Sequence, residues 1–402
     1  MTTKKMLICL ALLLMLLLPA AALGESTATD LAPMAEDISK ECLLNGYFDN
    51  QTMNKMLDGN YRTFWKSVRR NNVCELVITP PKDKAIGALL IRWRSDPVAV
   101  NVQVRDGDGW RTIAAAGADF QAQYIPLPSV GEEIRVVARN NEKTVLKICE
   151  LTVMTPGTLP DWFQVWEKPY GKMDMMLLSG HPDDEVLWFG GLLPTYAGAR
   201  GKKVLVVCAA FNTYHRRLEL LDCLWTCGVR IHPIFAGYLD LCTSDMNAVY
   251  KAWGRQKVQL HVAALYRQYK PDVVVLHDVK GEYGHGVHRA FSDAGRRAVE
   301  LAADPTQDIA SLEAYGAWVV PKVYVHLLAD NQLQMDWHVP LERFGGMTSQ
   351  EVAREAFKCH VSQQGKRWQV EDGGKWDNSL FGLYYTAVGL DVEKNDLFEH
   401  IE

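Results

Sequence analysis

Residues 173–185 read MDMMLLSGHPDDE, and this stretch predicts both a fold class and the position of a site. An uninterrupted apolar run is typical of a parallel strand that is buried on both faces. Two adjacent acids follow the run after only a few residues. A charged group loses solvation energy in such surroundings unless a polar or charged partner interacts with it. We therefore expect partners for these acids elsewhere in the chain.

Similar apolar runs recur later and are separated by stretches with helical character. They read KKVLVVCAA at 202–210, VRIHPIFAG at 229–237 and PDVVVLHD at 271–278. This alternation predicts an α/β domain, a Rossmann-like open and mostly parallel sheet with helices on both faces. Ligands of such sheets bind beyond the carboxyl ends of the strands, which is where HPDDE lies.

The composition sets limits on the class of protein. The chain has 402 residues, of which 48% are hydrophobic, and its formal net charge is −5 at pH 7. This length favours two or three domains, and the hydrophobic content excludes a disordered chain. Because no basic surplus favours nucleic acid or an anionic membrane surface, a neutral or small substrate is the expected partner.

The first residues have the pattern of an export signal. Two lysines precede an apolar stretch, and small residues follow it as far as Gly24. This pattern predicts a signal peptide at 1–24, cleavage before Glu25 and a secreted protein with no stable membrane span after cleavage. The alternative is an uncleaved signal that anchors the chain in a membrane.

Residues 25–155 are predicted to form an antiparallel β-sandwich that precedes the α/β domain. Short β segments are separated by polar turns, and the valines from Val98 to Val104 alternate to give one apolar face. Asp106-Gly107-Asp108-Gly109 predicts a hairpin turn. The prolines and glycine of 155–160 predict a linker, so the α/β domain is expected to occupy 156–402.

One segment of the predicted sandwich carries a recognisable pattern. The sequence MLDGNYRTFWKS at 56–67 resembles the signature of discoidin-like, galactose-binding-like sandwiches. The resemblance implies a carbohydrate-binding or surface-docking module. The alternative is a structural sandwich in which Trp65 belongs to the core, and Trp93 and Trp110 do not decide between the two because aromatic residues serve both roles.

The cysteines do not form the CxxC spacing of a structural zinc site. Cys42 and Cys149 stand near the two ends of the predicted sandwich, where an exported protein could bridge them, or they could be two buried free thiols. Cys223 and Cys227 lie four residues apart in a helical pattern, and this spacing favours a packed helix face.

A second polar stretch supplies the partners that the acids require. Residues 271–295 predict a buried strand, a glycine-rich loop and the start of a helix, so His285 and His288 also emerge at a strand's carboxyl end. A catalytic zinc ion needs three nitrogen or oxygen ligands and an open position for water. The residues that supply this set are His181, Asp184 and His288.

The remaining polar residues of the two stretches can then take catalytic roles. Asp183 can accept a proton from the attacking water, His285 can face the reacting carbonyl, and Tyr283 can donate to the oxyanion. The alternative for HPDDE alone is a set of acids that stabilise a helix N-terminus.

Taken together, HPDDE and GEYGHxxH resemble the motifs of the PIG-L/LmbE-like zinc deacetylases, the GlcNAc-phosphatidylinositol de-N-acetylase family, from about Met173 to the carboxyl end. The resemblance implies a Rossmann-like domain that removes an acetyl group from an N-acetylglucosamine-type amide at a His-Asp-His zinc site. It implies the same ligands, base and electrophilic residues as those named above. Arg216 and Asp240 are weaker matches that imply contacts with sugar hydroxyls, and the alternative for them is a surface helix residue and a loop acid.

The chain departs from the family pattern beside His285. Where the family commonly has His-Pro-Asp-His, this chain has His285-Gly286-Val287-His288, so the acid that would orient and charge His285 is absent. His285 could then donate a hydrogen bond as a neutral imidazole, or Asp278 could substitute if its loop folds back.

These observations predict a secreted zinc-dependent N-deacetylase that acts on an acetylamino sugar of a glycan or glycoconjugate and is docked on carbohydrate by its sandwich. The alternatives are a zinc amidase for another N-acyl substrate and a non-catalytic carbohydrate-binding or adhesion protein.

Overall fold

The computed structural model describes residues 33–46 and 50–401, and Met34–Glu402 pack as one compact unit. The predicted signal peptide at 1–24 lies outside the described residues. Among the described residues, none of the helices has the length and apolar character needed to cross a membrane.

The described residues form sixteen strands and seven α-helices. The strands are β1 (Leu43–Asn45), β2 (Trp65–Lys66), β3 (Glu75–Thr79), β4 (Ile86–Trp93), β5 (Val100–Asp106), β6 (Gly109–Ala116), β7 (Ala122–Val130), β8 (Ile134–Ala138), β9 (Lys147–Met154), β10 (Met175–Ser179), β11 (Val204–Ala210), β12 (Ile234–Tyr238), β13 (Val273–Leu276), β14 (Lys322–His326), β15 (Leu333–Gln334) and β16 (Leu380–Thr386). The helices are α1 (Asp184–Leu187), α2 (Tyr214–Thr226), α3 (Met246–Trp253), α4 (Arg255–Tyr269), α5 (Gly286–Ala303), α6 (Ile309–Tyr315) and α7 (Ser349–Phe357). A π-helical segment spans Pro194–Ala199, and short 3₁₀ helices span Asn50–Met56, Glu342–Phe344, Val361–Gln363 and Gly374–Trp376.

Strands β1 to β9 form two antiparallel sheets, which we call the amino-terminal sheet pair. One sheet has the order β1-β3-β8-β5-β6 and the other the order β2-β9-β4-β7. Alternate residues of both sheets, among them Leu76, Val102, Leu89 and Val153, share one apolar cluster. Burial of one face of each sheet therefore holds the pair together, as expected for strands whose side chains alternate between faces.

The sequence pattern of this region is confirmed where the structure tests it. Val100, Val102 and Val104 are buried in the shared cluster, and Val98 packs against it. Asp106 pairs with Gly109 across the β5–β6 turn, so the predicted hairpin forms with Gly107 in the left-handed region at φ 57°.

The carboxyl-terminal part of the chain builds one seven-stranded sheet of mixed direction. Its order is β12-β11-β10-β13-β14-β16-β15, and β10 to β14 are parallel whereas β16 runs antiparallel to both of its neighbours. The predicted α/β organisation with a mostly parallel sheet is thus observed.

Helices cover both faces of this sheet. On one face Leu177 and Val206 join a cluster with residues of α1, α2 and α7, and on the other face Leu178 and Val207 join a cluster with residues of α3, α4 and α5. This arrangement requires continuous apolar sequences in the strands. Successive residues point to opposite faces of the sheet, and both faces are covered by apolar clusters.

Chain order places the two polar stretches together. The chain proceeds outward from β10 through β11 to β12 and then returns to the other side of β10 with β13. Loops at the carboxyl ends of two such neighbouring strands diverge and leave a crevice between them. The residues after β10 include HPDDE, and those after β13 include GEYGHGVH.

Two details differ from the expectation of a regular helix after HPDDE and of a disulfide in the first domain. Helix α1 ends at Leu187, with Trp188 as its C-cap, and Gly190 then takes the left-handed φ of 48°, so no regular helix continues through this residue. Cys42 and Cys149 are free thiols that belong to apolar clusters on opposite faces of the four-stranded sheet, so the bridge is not formed. Cys223 on α2 and Cys227, the C-cap of that helix, are both buried, as the packed-helix interpretation predicts.

Candidate metal and catalytic site

Three side-chain atoms from the two polar stretches converge beyond the carboxyl ends of β10 and β13. His181 Nδ1 lies 3.1 Å from Asp184 Oδ2 and 3.1 Å from His288 Nε2, and His288 Nε2 lies 3.0 Å from Asp184 Oδ2. All three residues are buried, with exposed fractions of 6%, 3% and 0%. The predicted metal-binding residues are therefore close enough to share one ion.

The spacing of these atoms fits a small divalent cation. Nitrogen and oxygen ligands placed tetrahedrally at about 2.0–2.1 Å from an ion lie about 3.3 Å apart, a few tenths of an ångström above the observed sides of the triangle. Burial raises the pKa of Asp184, but His288 and His181 together hold it well below its usual range. The donor set and its electrostatics identify a candidate metal site of two imidazoles and one carboxylate.

The local fold fixes the carboxylate of this set. Asp184 Oδ2 accepts the backbone N–H of His181 at 2.7 Å, and Asp184 Oδ1 accepts Trp188 Nε1–H at 2.7 Å. Gly180 leaves room for the site, because a Cβ there would stand 2.7 Å from His288 Cδ2 and 2.9 Å from Asp184 Oδ2.

Glu282 holds the imidazole of His288 and two further histidines. Its Oε2 lies 2.7 Å from His288 Nδ1, and its Oε1 lies 3.0 Å from His277 Nδ1 and 3.1 Å from His326 Nδ1. All four residues are buried. A carboxylate on the far nitrogen of a histidine fixes the ring's tautomer and strengthens it as a ligand, so Glu282 orients Nε2 of His288 toward the triangle.

Asp183 stands beside the triangle but outside it. Its side chain makes no hydrogen bond that caps α1, contrary to the helix-capping alternative, and its backbone adopts φ 117°, an unfavourable region for a non-glycine residue. Glu185 Oε2 accepts the Asp183 N–H at 2.8 Å, and Arg216 lies 3.1 Å from Asp183 Oδ1. Burial raises the pKa of Asp183 to about 6, although Arg216 opposes the shift.

His285 caps the amino terminus of α5, immediately before Gly286, and faces the triangle. Its ring centroid is 4.7 Å from that of His181 and 4.9 Å from that of His288. Its Nδ1 accepts the Val287 N–H at 3.3 Å, so the ring proton of the neutral form belongs on Nε2. Burial and the two neighbouring histidines lower the pKa of His285 to about 3, which makes the ring neutral at physiological pH.

Tyr283 is the most exposed of the predicted site residues. Its side chain is 36% exposed, and its ring lies 5.5 Å from the rings of both His285 and His288. Burial and the surrounding carboxylates raise the pKa of the phenol above its usual value, so Tyr283 keeps its hydroxyl proton.

The two residues predicted to contact sugar hydroxyls lie against other site residues. Asp240 Oδ1 is 3.3 Å from His181 Nε2, and Arg216 donates to Pro182 O in addition to contacting Asp183. Arg216 is buried and Asp240 is half-buried, so the alternative of a surface helix residue is wrong for Arg216. Their contact with sugar stays a prediction. Their observed positions allow Asp240 to orient His181 and Arg216 to orient Asp183.

Sequence reasoning did not assign roles to Glu282, Glu185 or His360. His360 Nε2 lies 2.5 Å from Glu185 Oε1, and the pair is fully buried behind Asp183. Glu185 belongs to the quoted pentapeptide and Glu282 to GEYGH, so a signal was present for both. Asp278, considered as a substitute partner for His285, instead uses its backbone N–H to bind Glu282 Oε1 at 3.0 Å.

Comparison with known proteins adds independent information about this part of the chain. Residues 176–299 match the family model described as "PIG-L: GlcNAc-PI de-N-acetylase". A 1D-myo-inositol 2-acetamido-2-deoxy-alpha-D-glucopyranoside deacetylase from Catenulispora acidiphila is 28% identical over 39% of this chain and 56% of its own length. A deacetylase of the same description from Salinispora arenicola is 25% identical over 54% of this chain and 85% of its own length.

Among solved structures, N,N'-diacetylchitobiose deacetylase from Pyrococcus horikoshii aligns with 48% of this chain and 72% of its own, at 18% identity and a TM-score of 0.36. A score this low does not establish a common fold. The chain spans only about half the length of the Catenulispora relative, 56%. The sequence matches support the expectation of an enzyme that hydrolyses an amide, and the similarity to the PIG-L family model is confined to residues 176–299.

Proposed function

We propose that this protein is a secreted, zinc-dependent N-deacetylase that hydrolyses the acetamide of an N-acetylglucosamine-type sugar in a glycan or glycoconjugate. The observation that carries the proposal is the buried triangle of His181 Nδ1, Asp184 Oδ2 and His288 Nε2 with a separate carboxylate, Asp183, beside it. A hydrolase needs both a place for the cation and an unligated base.

Zinc is proposed because two imidazoles and one carboxylate are a ligand set that leaves a fourth position for water or substrate. When bound, the ion would act as a Lewis acid and lower the pKa of its water to about 7. Glu282 behind His288 and Asp240 beside His181 support both imidazoles in the way that carboxylates support metal-binding histidines.

The residues around the triangle divide the proton transfers between them. With a pKa of about 6, Asp183 is mostly ionised at neutral pH and can take the proton of the attacking water. His285 is neutral and carries its proton on Nε2, so it can donate a hydrogen bond to the oxygen that becomes negative. Tyr283 supplies a second donor at the open side of the site.

The amino-terminal region is proposed to be a discoidin-like β-sandwich that precedes a Rossmann-like catalytic domain and docks the enzyme on carbohydrate. Support comes from the LDGNYRTFW pattern and from the two antiparallel sheets around one core. Export is proposed from the pattern of residues 1–24. Detection of the mature chain outside the cell, with an amino terminus at Glu25, would test that part of the proposal.

A zinc amidase for a different N-acyl substrate is the second candidate, because the same donor atoms serve any amide carbonyl. The third, a carbohydrate-binding protein without activity, would not need Asp183 held at an unfavourable backbone angle beside the triangle. Strain of this kind costs about 1–3 kcal/mol and is concentrated at functional sites.

The test uses the purified chain, its zinc content and its release of acetate from N-acetylglucosamine, chitooligosaccharides, peptidoglycan fragments and acetylated inositol glycosides. We expect about one zinc per chain and activity on at least one amino sugar. The variant His288→Ala should lose both zinc and activity, whereas His400→Ala, which changes an exposed histidine, should lose neither. Zinc retained by His288→Ala, or acetate released from none of these sugars, would refute the proposal.

A further inference from the structure

The proposed base is carried by a strained backbone, and one buried side chain holds that backbone. Asp183 has φ 117°, a conformation that a non-glycine residue keeps only where the surrounding structure imposes it. Its N–H donates to Glu185 Oε2 at 2.8 Å, and the Glu185 side chain is fully buried. This bond opposes relaxation of Asp183 toward a favourable φ.

His360 holds the other oxygen of Glu185. Its Nε2 lies 2.5 Å from Glu185 Oε1, and both side chains are fully buried. The opposite ring nitrogen, Nδ1, is buried and has no hydrogen-bond partner in the part of the chain that the structure describes. The ring therefore makes its hydrogen bond to Glu185, and a proton on Nε2 is what a carboxylate partner requires.

A metal ion held by Glu185 and His360 is the alternative for this pair. Cys223 also offers a donor atom within 4.8 Å of donor atoms of both residues. Two zinc ligands of nitrogen and oxygen type lie about 3.3 Å apart, because each is about 2.0–2.1 Å from the ion. The observed 2.5 Å is too short for that arrangement and is closer to a hydrogen bond between charged partners, at about 2.7–2.9 Å. The distance favours a proton between the two atoms over an ion.

The segment that carries His360 is fixed to helix α2. Glu219 of α2 accepts the Ser362 N–H at 2.9 Å and the Ser362 hydroxyl at 2.5 Å. One helical turn before Glu219, Arg216 lies 3.1 Å from Asp183 Oδ1. Helix α2 thus holds Asp183 in two ways, at the carboxylate through Arg216 and at the backbone through the segment after α7.

We propose that Glu185 and His360 are positioning residues for the base. Together they hold the Asp183 backbone in its unfavourable conformation and keep its carboxylate beside the triangle. A base must lie within hydrogen-bond reach of the proton that it takes, so a small displacement of Asp183 slows the reaction without removing the ion. This inference rests on the proposed N-deacetylase function. It also makes the site depend on His360, which lies outside the residues 176–299 that match the family model.

The test measures kcat, KM and zinc content for His360→Leu and His360→Gln, with the sugar on which the wild type is most active. Leucine removes the donor to Glu185. We expect kcat to fall by about 10–100-fold while KM and zinc content change less than about threefold, because a misplacement of about 1 Å can cost that much. His360→Gln should retain more of the wild-type kcat, since its amide can donate from nearly the position of Nε2.

Two further variants guard against a fault in the fold. Glu185→Gln keeps the size of the side chain and should also lower kcat with zinc retained, which preserves the test if His360→Leu does not fold. His232→Leu is the matched control, because it makes the same change at a buried histidine that accepts the Gln121 N–H at 3.4 Å next to β7. Its kcat should equal that of the wild type even if its melting temperature falls.

A second background separates positioning from general loss of structure. In Asp183→Asn the base is already absent, so the addition of His360→Leu should lower kcat by less than about threefold more, as expected for residues that act together. Equal fold losses in the two backgrounds would assign His360 to the fold alone and overturn the proposal. Two zinc ions per wild-type chain, of which His360→Leu loses one, would assign the pair to a metal site and overturn it as well.

Hydrogen exchange distinguishes failure of this role from failure of the proposed function. The Asp183 N–H, followed by mass spectrometry in a peptide of residues 178–188, is protected while Glu185 accepts it. We expect it to exchange about 10-fold faster or more in His360→Leu, the effect of weakening one hydrogen bond to a charged group, and at the wild-type rate in His232→Leu.

The two measurements fail separately. Faster exchange in His360→Leu supports the hold on Asp183 even if the wild type releases no acetate, an outcome that would refute the deacetylase proposal alone. Unchanged exchange or unchanged kcat in His360→Leu overturns the positioning role, and an active wild type then leaves the deacetylase proposal intact.

Discussion

The amino-terminal sheet pair contains one motif of polar and aromatic residues, and the carboxyl ends of β10 and β13 in the seven-stranded sheet contain another. The two motifs have different surroundings. In the sheet pair, Trp65 is fully buried in the apolar cluster and Tyr61 donates its hydroxyl to Asp222 of α2 at 2.6 Å. At the carboxyl ends of β10 and β13, His181, Asp184 and His288 are also buried, but their side chains contact one another through polar atoms. Burial alone therefore does not separate a structural motif from a chemical one.

The chemistry of the surroundings does separate them. Around Trp65 the neighbours are aliphatic and aromatic, so its burial lowers the free energy of the fold through the hydrophobic effect. Around Asp184 the neighbours carry lone pairs and charge, and burial of such groups is costly unless a cation or proton joins them. The comparison predicts that changes in the first region alter stability and changes in the second alter chemistry.

The largest expected effect is that of Asp183→Asn. Because the amide cannot accept a proton, we expect kcat to fall by about 10²–10⁴-fold, the usual contribution of a general base. Zinc content should not change, since Asp183 lies outside the triangle. The contrasting variant Asp184→Asn should lose zinc together with activity. Near-normal acetate release by Asp183→Asn would contradict the proposed role.

Replacement of Trp65 tests the other side of the comparison. Trp65→Ala should lower the free energy of unfolding by about 3–5 kcal/mol, because it leaves a cavity in the core of the sheet pair. Trp65→Phe should cost less, since the indole Nε1–H has no partner to lose. Thermal and denaturant unfolding would measure both effects.

If Trp65 were a sugar platform, both variants would lose glycan binding while they remained folded. We expect folded Trp65→Phe to bind glycans as the wild type does. Trp110 is the matched control, because it is half-buried between Arg105, at 4.0 Å, and Arg135, at 4.5 Å, and lies outside the core of the sheet pair. Trp110→Ala should lower the unfolding free energy less than Trp65→Ala does and would reveal any carbohydrate contact on that face.

A smaller effect is expected for Glu282→Gln. The amide removes the negative charge behind His288 and cannot accept from three histidines, so the orientation of the His288 ring is less well held. Loss of such a supporting carboxylate typically costs about 10–100-fold in metal affinity or activity. Zinc affinity measured by competition with a chelator checks this. Glu300→Gln, an exposed change on helix α5, which also carries His288, should have no effect. An equal loss in both variants would contradict the role of Glu282.

The sequence predicts the convergence of the two polar stretches because it depends on few physical rules. Apolar runs specify parallel strands, and the order of those strands places the ends of β10 and β13 side by side. The absence of an acid at Val287 left a neutral His285 as one of two alternatives, beside a substitute role for Asp278. These features need only the identity of residues that are close in sequence.

Other parts of the site depend on contacts between distant residues and could not be predicted in this way. His326 reaches Glu282 from β14, and Asp240 reaches His181 from the segment after β12. His360 approaches Glu185 from the segment after α7, near the carboxyl end, which has no regular periodicity. Such contacts depend on loop paths, and no local pattern specifies a loop path.

The smallest expected effect concerns a carboxylate of the sheet pair. Burial and the neighbouring Asp58 raise the pKa of Glu150 to about 7, in contrast to the lowered pKa of Asp184 among histidines. The native state therefore keeps the Glu150 proton between about pH 4.5 and 7, where the unfolded chain has already lost it. Stability should fall as the pH rises through this window, because the unfolded state binds fewer protons there.

Glu150→Gln removes this titration. We expect its melting temperature to equal that of the wild type near pH 4.5 and to exceed it modestly above pH 7, since the partial exposure of Glu150 limits the gain. Glu132→Gln, an exposed change in the same sheet pair, should follow the wild type at every pH. A variant that melts below the wild type above pH 7 would mean that ionised Glu150 is held favourably, by Arg92 or by the Asn60 N–H that it accepts at 3.1 Å. The ionised carboxylates of Glu150 and Asp184 would then have different partners, but in both regions ionisation would stabilise the folded state.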